Sequence, residues 1–318
     1  MPAPLLIADI GATNARFALV EDDADGDVLE IVRLATADHQ DVQTLLAAVH
    51  ERLDLDAPGG CCVAMAGPVK NGRGAITNAQ LTVDAADLST RLGCPSLVVN
   101  DFYALAHAVP TLKHLRQIGG GEPTEGTRAV LGPGSGLGMS VLLRAPGPAG
   151  TLFVLPSEGG HGDLAPGSAL ELEVLQILAN ELPHVSWESV LSGPGLVNLY
   201  RALCAVWGVQ PDDVRPEWIT AMGVNADEPI CHQVLELFFG FLGAAAGNLA
   251  LTVCAQGGVY IGGGIVPALA EFAAASPMRR RFEERGALSA YAGAIPIYLI
   301  LDENPGLLGA LACLQLRA

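Results

Sequence analysis

The stretch LLIADIGATNARFALV, residues 5–20, decides how the chain is read. Apolar residues run from Leu5 to Ile10, break at Gly11 and the polar pair Thr13-Asn14, and resume through Val20: strand, tight turn, strand. The pattern returns as AVLGPGSGLGMSVLLR, residues 129–144, again an apolar run, a glycine-rich turn and an apolar run. Two such hairpins, about 120 residues apart, predict a duplicated α/β architecture with one glycine-rich hairpin in each of two lobes.

Outward from the first hairpin, the apolar periodicity predicts strands over 29–34 and 61–66 and helices over 42–53 and 85–92. The next run is LVVND, 97–101, a buried strand ending abruptly in an amide and a carboxylate. The carboxyl end of a strand is where open α/β sheets place ligand-handling groups. The helix spacing of Phe102, Leu105, Ala106 and Val109 puts Asp101 at a strand-to-helix corner, near a positive helix terminus. By residue type, Asp101 suits either a chemical role or a plain helix cap. Beyond the second hairpin come a strand over 153–155, helices over 169–182, 194–206 and 228–255, and a strand within QGGVYIGGGIV. A last strand over 297–301 and a terminal helix follow. The lobe boundary is expected near 110–113, with the last strand and helix returning to the first lobe. That gives residues 1–111 plus 300–318 as the small lobe and 112–299 as the large one.

Composition narrows the function. The chain has 318 residues, half of them hydrophobic, and can bury a large core. Its 34 acidic against 17 basic side chains, net −17, exclude bulk attraction to nucleic acid or an anionic membrane; the longest basic run is Arg279, Arg280, Arg281. Seven cysteines with no C-x-x-C read as small buried hydrophobes of a reducing cytoplasm. The amino terminus lacks a basic n-region, so no signal peptide is expected. Residues 237–255 approach bilayer-spanning length, with G-x-x-x-G at Gly243 and Gly247, but Asn248 and the Ala/Gly content favour a core helix packed closely on a sheet.

Asp9-Ile10-Gly11-Ala12-Thr13-Asn14 fits D-x-G-x-T at a hairpin tip. Gly11 lets backbone amides converge on an anion, Thr13 and Asn14 add donors, and Asp9 can reach a phosphate-bound Mg²⁺ through water. An ordinary hairpin turn has the same local pattern. Gly132, Gly134, Ser135, Gly136 and Gly138 supply a second row of amides. No G-x-x-x-x-G-K-[ST] occurs, and the chain's lysines are Lys70 and Lys113, so any phosphate must be met by amides, a metal and Arg16.

The ordered series DIGATNARFAL, AGPV, ITN, VVNDFYALAHAVP, GPGSGLG, SEGGHGDLAP, ESVLSGPGLVNLY, GGVYIGGGIVP and ENPGLLG, spread over nearly the whole chain, resembles the ATP-dependent, non-ROK bacterial glucokinase family. The resemblance implies a two-lobed ribonuclease H-like (actin/hexokinase) fold with a central cleft. It also implies a cytoplasmic homodimer that transfers the ATP γ-phosphoryl group to the glucose 6-hydroxyl. It further implies Asp101 as general base and Asn100, Asp101, Glu158, His161 and Glu188 on the sugar hydroxyls. Residues Ala8 to Asn14 and Gly132, Gly134, Ser135 and Gly136 would hold phosphates, with Gly262, Gly263 and Gly264 near the adenosine. Carboxylates beside an amide suit vicinal hydroxyls, which donate and accept. Ala8 and Ala12 replace glycines common in the family and Ser157 a glycine before the Glu, departures that bear on nucleotide affinity. The zinc-binding cysteines of the ROK relatives are absent. Alternatives left open are another hexose kinase, an ADP- or polyphosphate-dependent one, a catalytically silent sugar-binding regulator, or an actin-like assembly protein.

Overall fold

A computed structural model describes residues 3–22, 28–39, 41–53, 57–76, 81–144 and 152–316. The chain divides into two compact units, Met1–Lys113 with Asp302–Ala318, and His114–Leu301. In the ITN motif, Ile76 is described and residues 77–78 lie outside the described residues.

The first unit is built on a sheet of β1 (Leu5–Ile10), β2 (Asn14–Val20), β3 (Val28–Ala35), β4 (Gly60–Met65) and β8 (Ser96–Asn100) in the order β3-β2-β1-β4-β8. β1, β2 and β3 are antiparallel neighbours, whereas β1, β4 and β8 run parallel. Alternation along β1 separates two cores. Leu6, Ala8 and Ile10 join the cluster under α1 (Val42–His50) and α2 (Ala85–Leu92). Leu5 and Ile7 join the cluster under α3 (Asp101–Ala108) and α11 (Pro305–Gln315). Strands β5 (Val69–Lys70), β6 (Arg73–Ile76) and β7 (Leu81–Asp84) add a small antiparallel sheet.

The second unit repeats the plan. Its sheet has the order β12-β11-β10-β13-β14-β9, from β9 (Leu115–Gln117), β10 (Arg128–Pro133), β11 (Leu137–Arg144), β12 (Leu152–Ser157), β13 (Val259–Ile261) and β14 (Ile297–Ile300). β10, β11 and β12 are antiparallel; β10, β13 and β14 are parallel. Each unit thus carries the same five-strand order, third-second-first-fourth-fifth, and the second adds β9 at its edge. The two glycine-rich hairpins occupy equivalent places, β1–β2 and β10–β11.

Two sequence expectations are corrected here. The last strand does not return with the terminal helix to the first unit: β14 pairs with β13 and β9 inside the second sheet. Its buried Ile297, Leu299 and Ile300 need partners on both edges, and β9, a three-residue strand with little sequence signal, supplies one. Only α11 returns, packing on α3, β4 and β1. The long apolar helix, α7 (Pro229–Val253), is mostly buried in the second unit, and its main partners are helices instead of a sheet: α9 (Met278–Glu283), α6 (Pro216–Val224) and α5 (Gly193–Trp207). Gly243 makes this possible, because a Cβ there would meet the Met278 backbone. The triple arginine is internally neutralised: Arg279 pairs with Glu283, Arg280 with Glu284, and Arg281 with Glu171 and Glu284.

Gly309 brings α11 against the Ala104 carbonyl, where a Cβ would collide with backbone that cannot move aside. Gly309→Ala is therefore expected to lower stability by about 1–3 kcal/mol in urea unfolding with an unchanged m-value. All seven cysteines are free thiols, six are buried, and burial pushes the Cys61 thiol up to about 12, with Cys94 adding to the shift. A thiol reagent at pH 8 is expected to modify Cys254 alone in the native protein and the other six only after unfolding.

Candidate active site

In the first unit, the parallel strands end at one level: Ile10 pairs with Met65, and Met65 with Asn100. The turn after β1 and the corner after β8 therefore emerge on the same edge, about 10 Å apart across β4 by strand spacing. The β1–β2 turn is closed by Gly11 N–H donating to Asn14 O at 2.9 Å. A residue that local pattern does not signal holds it from outside. Thr36, fully buried just after β3, donates its hydroxyl to Gly11 O at 2.9 Å and its N–H to Thr13 O at 3.0 Å. Thr13 and Asn14 are exposed, while Ala8 and Ile10 turn their side chains into the core and offer only backbone to a ligand. The methyl of Ala8 thus packs in the core, away from the turn.

Asp9 faces the other side of the sheet. Arg16, its cross-strand neighbour, donates from Nη1 to Oδ2 at 3.2 Å. Burial pushes the Asp9 carboxyl above its ordinary range, and the Arg16 guanidinium partly offsets that. The start of α11 also closes on this carboxylate, since a Cβ at Gly306 would fall 2.6 Å from Asp9 Cγ. A helix amino terminus favours negative charge there, so Gly306 gives the ENPGLLG motif a role that its sequence does not reveal.

At the β8–α3 corner the helix cap is Asn100, not Asp101. Asn100 Oδ1 accepts from Phe102 N–H at 2.9 Å and Tyr103 N–H at 3.0 Å. Its Nδ2 donates to Gly67 O and to Asp101 Oδ1, each at 3.0 Å. Asp101, the first helical residue, also accepts at Oδ1 from its neighbour's N–H, Phe102, at 2.9 Å. Two donors at the amino terminus of the helix fix the orientation of this half-buried carboxylate. Asn100 is a sugar ligand in the expectation; here it spends both amide protons on fixing Gly67 and Asp101.

In the second unit the glycine-rich turn, the triple-glycine loop and the SEGGH loop come together. Gly134 N–H donates to Gly136 O at 2.8 Å across the turn, leaving Ser135 exposed at its tip. Gly262 N–H donates to Leu131 O at 2.9 Å, and a Cβ on Gly132 would lie 2.6 Å from the Gly262 carbonyl. Gly263, at φ +85°, presses on the Pro133 carbonyl, so both the backbone conformation and the space require glycine. Gly193, opening α5, donates to Gly134 O at 2.8 Å. Gly264 and Glu158 are exposed. His161 Nδ1 lies 3.9 Å from Glu188 Oε1, and Glu188 Oε2 accepts from Leu137 N–H at 2.8 Å. Among the described residues, no group of three or more His, Cys, Asp or Glu side chains is placed to hold a metal.

Comparison with known proteins agrees over the whole chain. Residues 6–317 match the family model described as Glucokinase. The chain is 41% identical over 314 residues to a glucokinase of Shigella sonnei, covering 98% of this chain and 96% of that protein. It is 42% identical over 315 residues to a glucokinase of Salmonella arizonae, with the same shares covered. A crystal structure of glucokinase from an Antarctic psychrotroph superposes with a TM-score of 0.85 at 36% identity, covering 99% of both chains.

Replacing the cap tests the corner directly. Asn100→Ala is expected to destabilise the protein by about 1 kcal/mol in thermal or urea unfolding, a loss that Asn100→Asp largely restores.

Proposed function

The chain belongs to the glucokinase family, and from that membership we propose that it transfers the ATP γ-phosphoryl group to the 6-hydroxyl of glucose, giving glucose 6-phosphate and ADP. The observation that carries the catalytic assignment is the β8–α3 corner. There Asp101 is held by Asn100 and Phe102 at the positive end of α3, with Oδ1 at fixed position. A carboxylate so placed can take the hydroxyl proton as the oxygen–phosphorus bond forms, and the bond to ADP breaks on the opposite side. Asn100 meets a sugar hydroxyl and also orients Asp101.

The remaining roles are part of the same proposal. Glu158, His161 and Glu188 hold sugar hydroxyls, carboxylates accepting and the imidazole donating or accepting by tautomer. Backbone amides of the turns at Gly11–Asn14 and Gly132–Gly136 receive phosphate oxygens, and Gly262, Gly263 and Gly264 lie by the adenosine. With few cations in the chain, fixed amide dipoles do the work that lysine does in other phosphate sites.

Magnesium fits this donor set. It takes one or two carboxylates, keeps waters and shares substrate phosphates, so the partly exposed Asp9 carboxylate would suffice without a protein cage. Bound with ATP, the ion would neutralise charge developing on the transferring phosphoryl oxygens. A homodimeric state and a cytoplasmic location belong to the same family-based proposal.

Asp101→Asn keeps shape and removes the base. It is expected to lower kcat by about 10²–10⁴ in a coupled assay while glucose binding, measured by calorimetry, changes by less than about tenfold. Near-normal turnover in that variant would remove the assigned base, and a hexose and donor panel at fixed Mg²⁺ checks the substrate pair.

A further inference from the structure

Glu188 presents its two carboxylate oxygens to two different loops. Oε2 accepts from Leu137 N–H at 2.8 Å, at the foot of the glycine-rich turn. Oε1 is 3.9 Å from His161 on the SEGGH loop, and the backbone N–H of Glu188 donates to Gly160 O at 2.9 Å. The three segments interlock because glycines stand at the contacts. A Cβ on Gly136 would fall on Glu188 Oε2, and one on Gly160 would fall on Leu137 O. One of the contacts that hold the turn is therefore made by a side chain whose other oxygen faces the sugar loop.

We infer that Glu188 is a positioning residue for the nucleotide as well as a ligand of the sugar, and that through it each substrate raises the affinity for the other. The inference rests on the sugar-binding role proposed above. A charge-assisted bond fixes the Leu137 amide, and with it the amides of the turn aimed at phosphate. A sugar hydroxyl donating to Oε1 restrains the carboxylate, which leaves the turn less freedom to lose when nucleotide binds. Linkage requires the same factor in the reverse direction.

The test is calorimetric titration of Mg²⁺ and a non-hydrolysable ATP analogue into the full chain, with and without glucose. Without sugar, Glu188→Ala is expected to weaken nucleotide binding about tenfold, the loss of one hydrogen bond to a charged group. Glu188→Gln, whose amide oxygen can still accept from Leu137, is expected to stay within about twofold, and both variants raise the glucose KM. Sugar-free nucleotide affinity unchanged or improved in Glu188→Ala overturns the positioning role, and nucleotide affinity that glucose leaves unchanged in the native chain overturns the coupling; either result leaves the sugar role standing. A glucose KM unchanged in both variants overturns the sugar role instead. Gly136→Ala provides an arm that leaves Glu188 itself in place. Its methyl displaces the carboxylate, so glucose KM is expected to rise several-fold although residue 136 is no sugar ligand; an unchanged KM overturns the inference.

Discussion

β1, β4 and β8 run parallel and stop together, with Ile10, Met65 and Asn100 side by side across the sheet. Parallel pairing needs a crossover between successive strands, so segments distant in the chain leave neighbouring strand ends. The hairpin turn at Gly11, the carbonyl of Gly67 and the carboxylate of Asp101 share an edge for this reason. Asn100 joins two of them directly, spending one amide proton on each. The second unit uses the same device, where Leu131 and Ile261 stand in register and the turn after β10 meets the loop after β13. A β-sheet edge, built twice, is what turns scattered glycines and carboxylates into sites.

The second consequence concerns charge. A chain with net −17 binds a polyanion only if positive potential is local. Two arginines of the second unit are committed to ion pairs and carbonyls. Arg281 is buried in an ion pair with Glu171 at 2.8 Å, and Arg279 donates to Glu283 and to the carbonyls of Gly293 and Ile295. Breaking the buried Arg281–Glu171 pair leaves an uncompensated charge, so Arg281 is structural. In the function proposed here phosphate recognition falls to amides, and amides are useful only when backbone can approach closely. Gly132, Gly136, Gly160 and Gly263 each sit where a side chain would strike another backbone or carboxylate.

Much of this was legible in one dimension. The paired hairpins predict the duplication, helix 85–92 matches α2 residue for residue, and the ordered motifs point to the family that the whole-chain match shows. What escaped were partners. Thr36 and Gly306 carry no local mark of function, yet one pins the first turn and the other seats a helix end on Asp9. An apolar run does not say which sheet will cover it, so the terminal strand reads equally well in either lobe; its pairing with β9 and β13 puts it in the second. The G-x-x-x-G of α7 signalled close approach, and only packing showed that the neighbour is α9.

Residue type and spacing by themselves determined the alternation of strands and helices and the two glycine turns, because periodicity and turn chemistry are local properties of the chain; the family came from the ordered motifs taken together. The tertiary structure alone decided that Asn100, and not Asp101, caps α3, and that Glu188 reaches the amide of Leu137. Those are contacts between surfaces that no local rule brings together, selected by which faces could be buried and which buried polar groups could be paired at the same time.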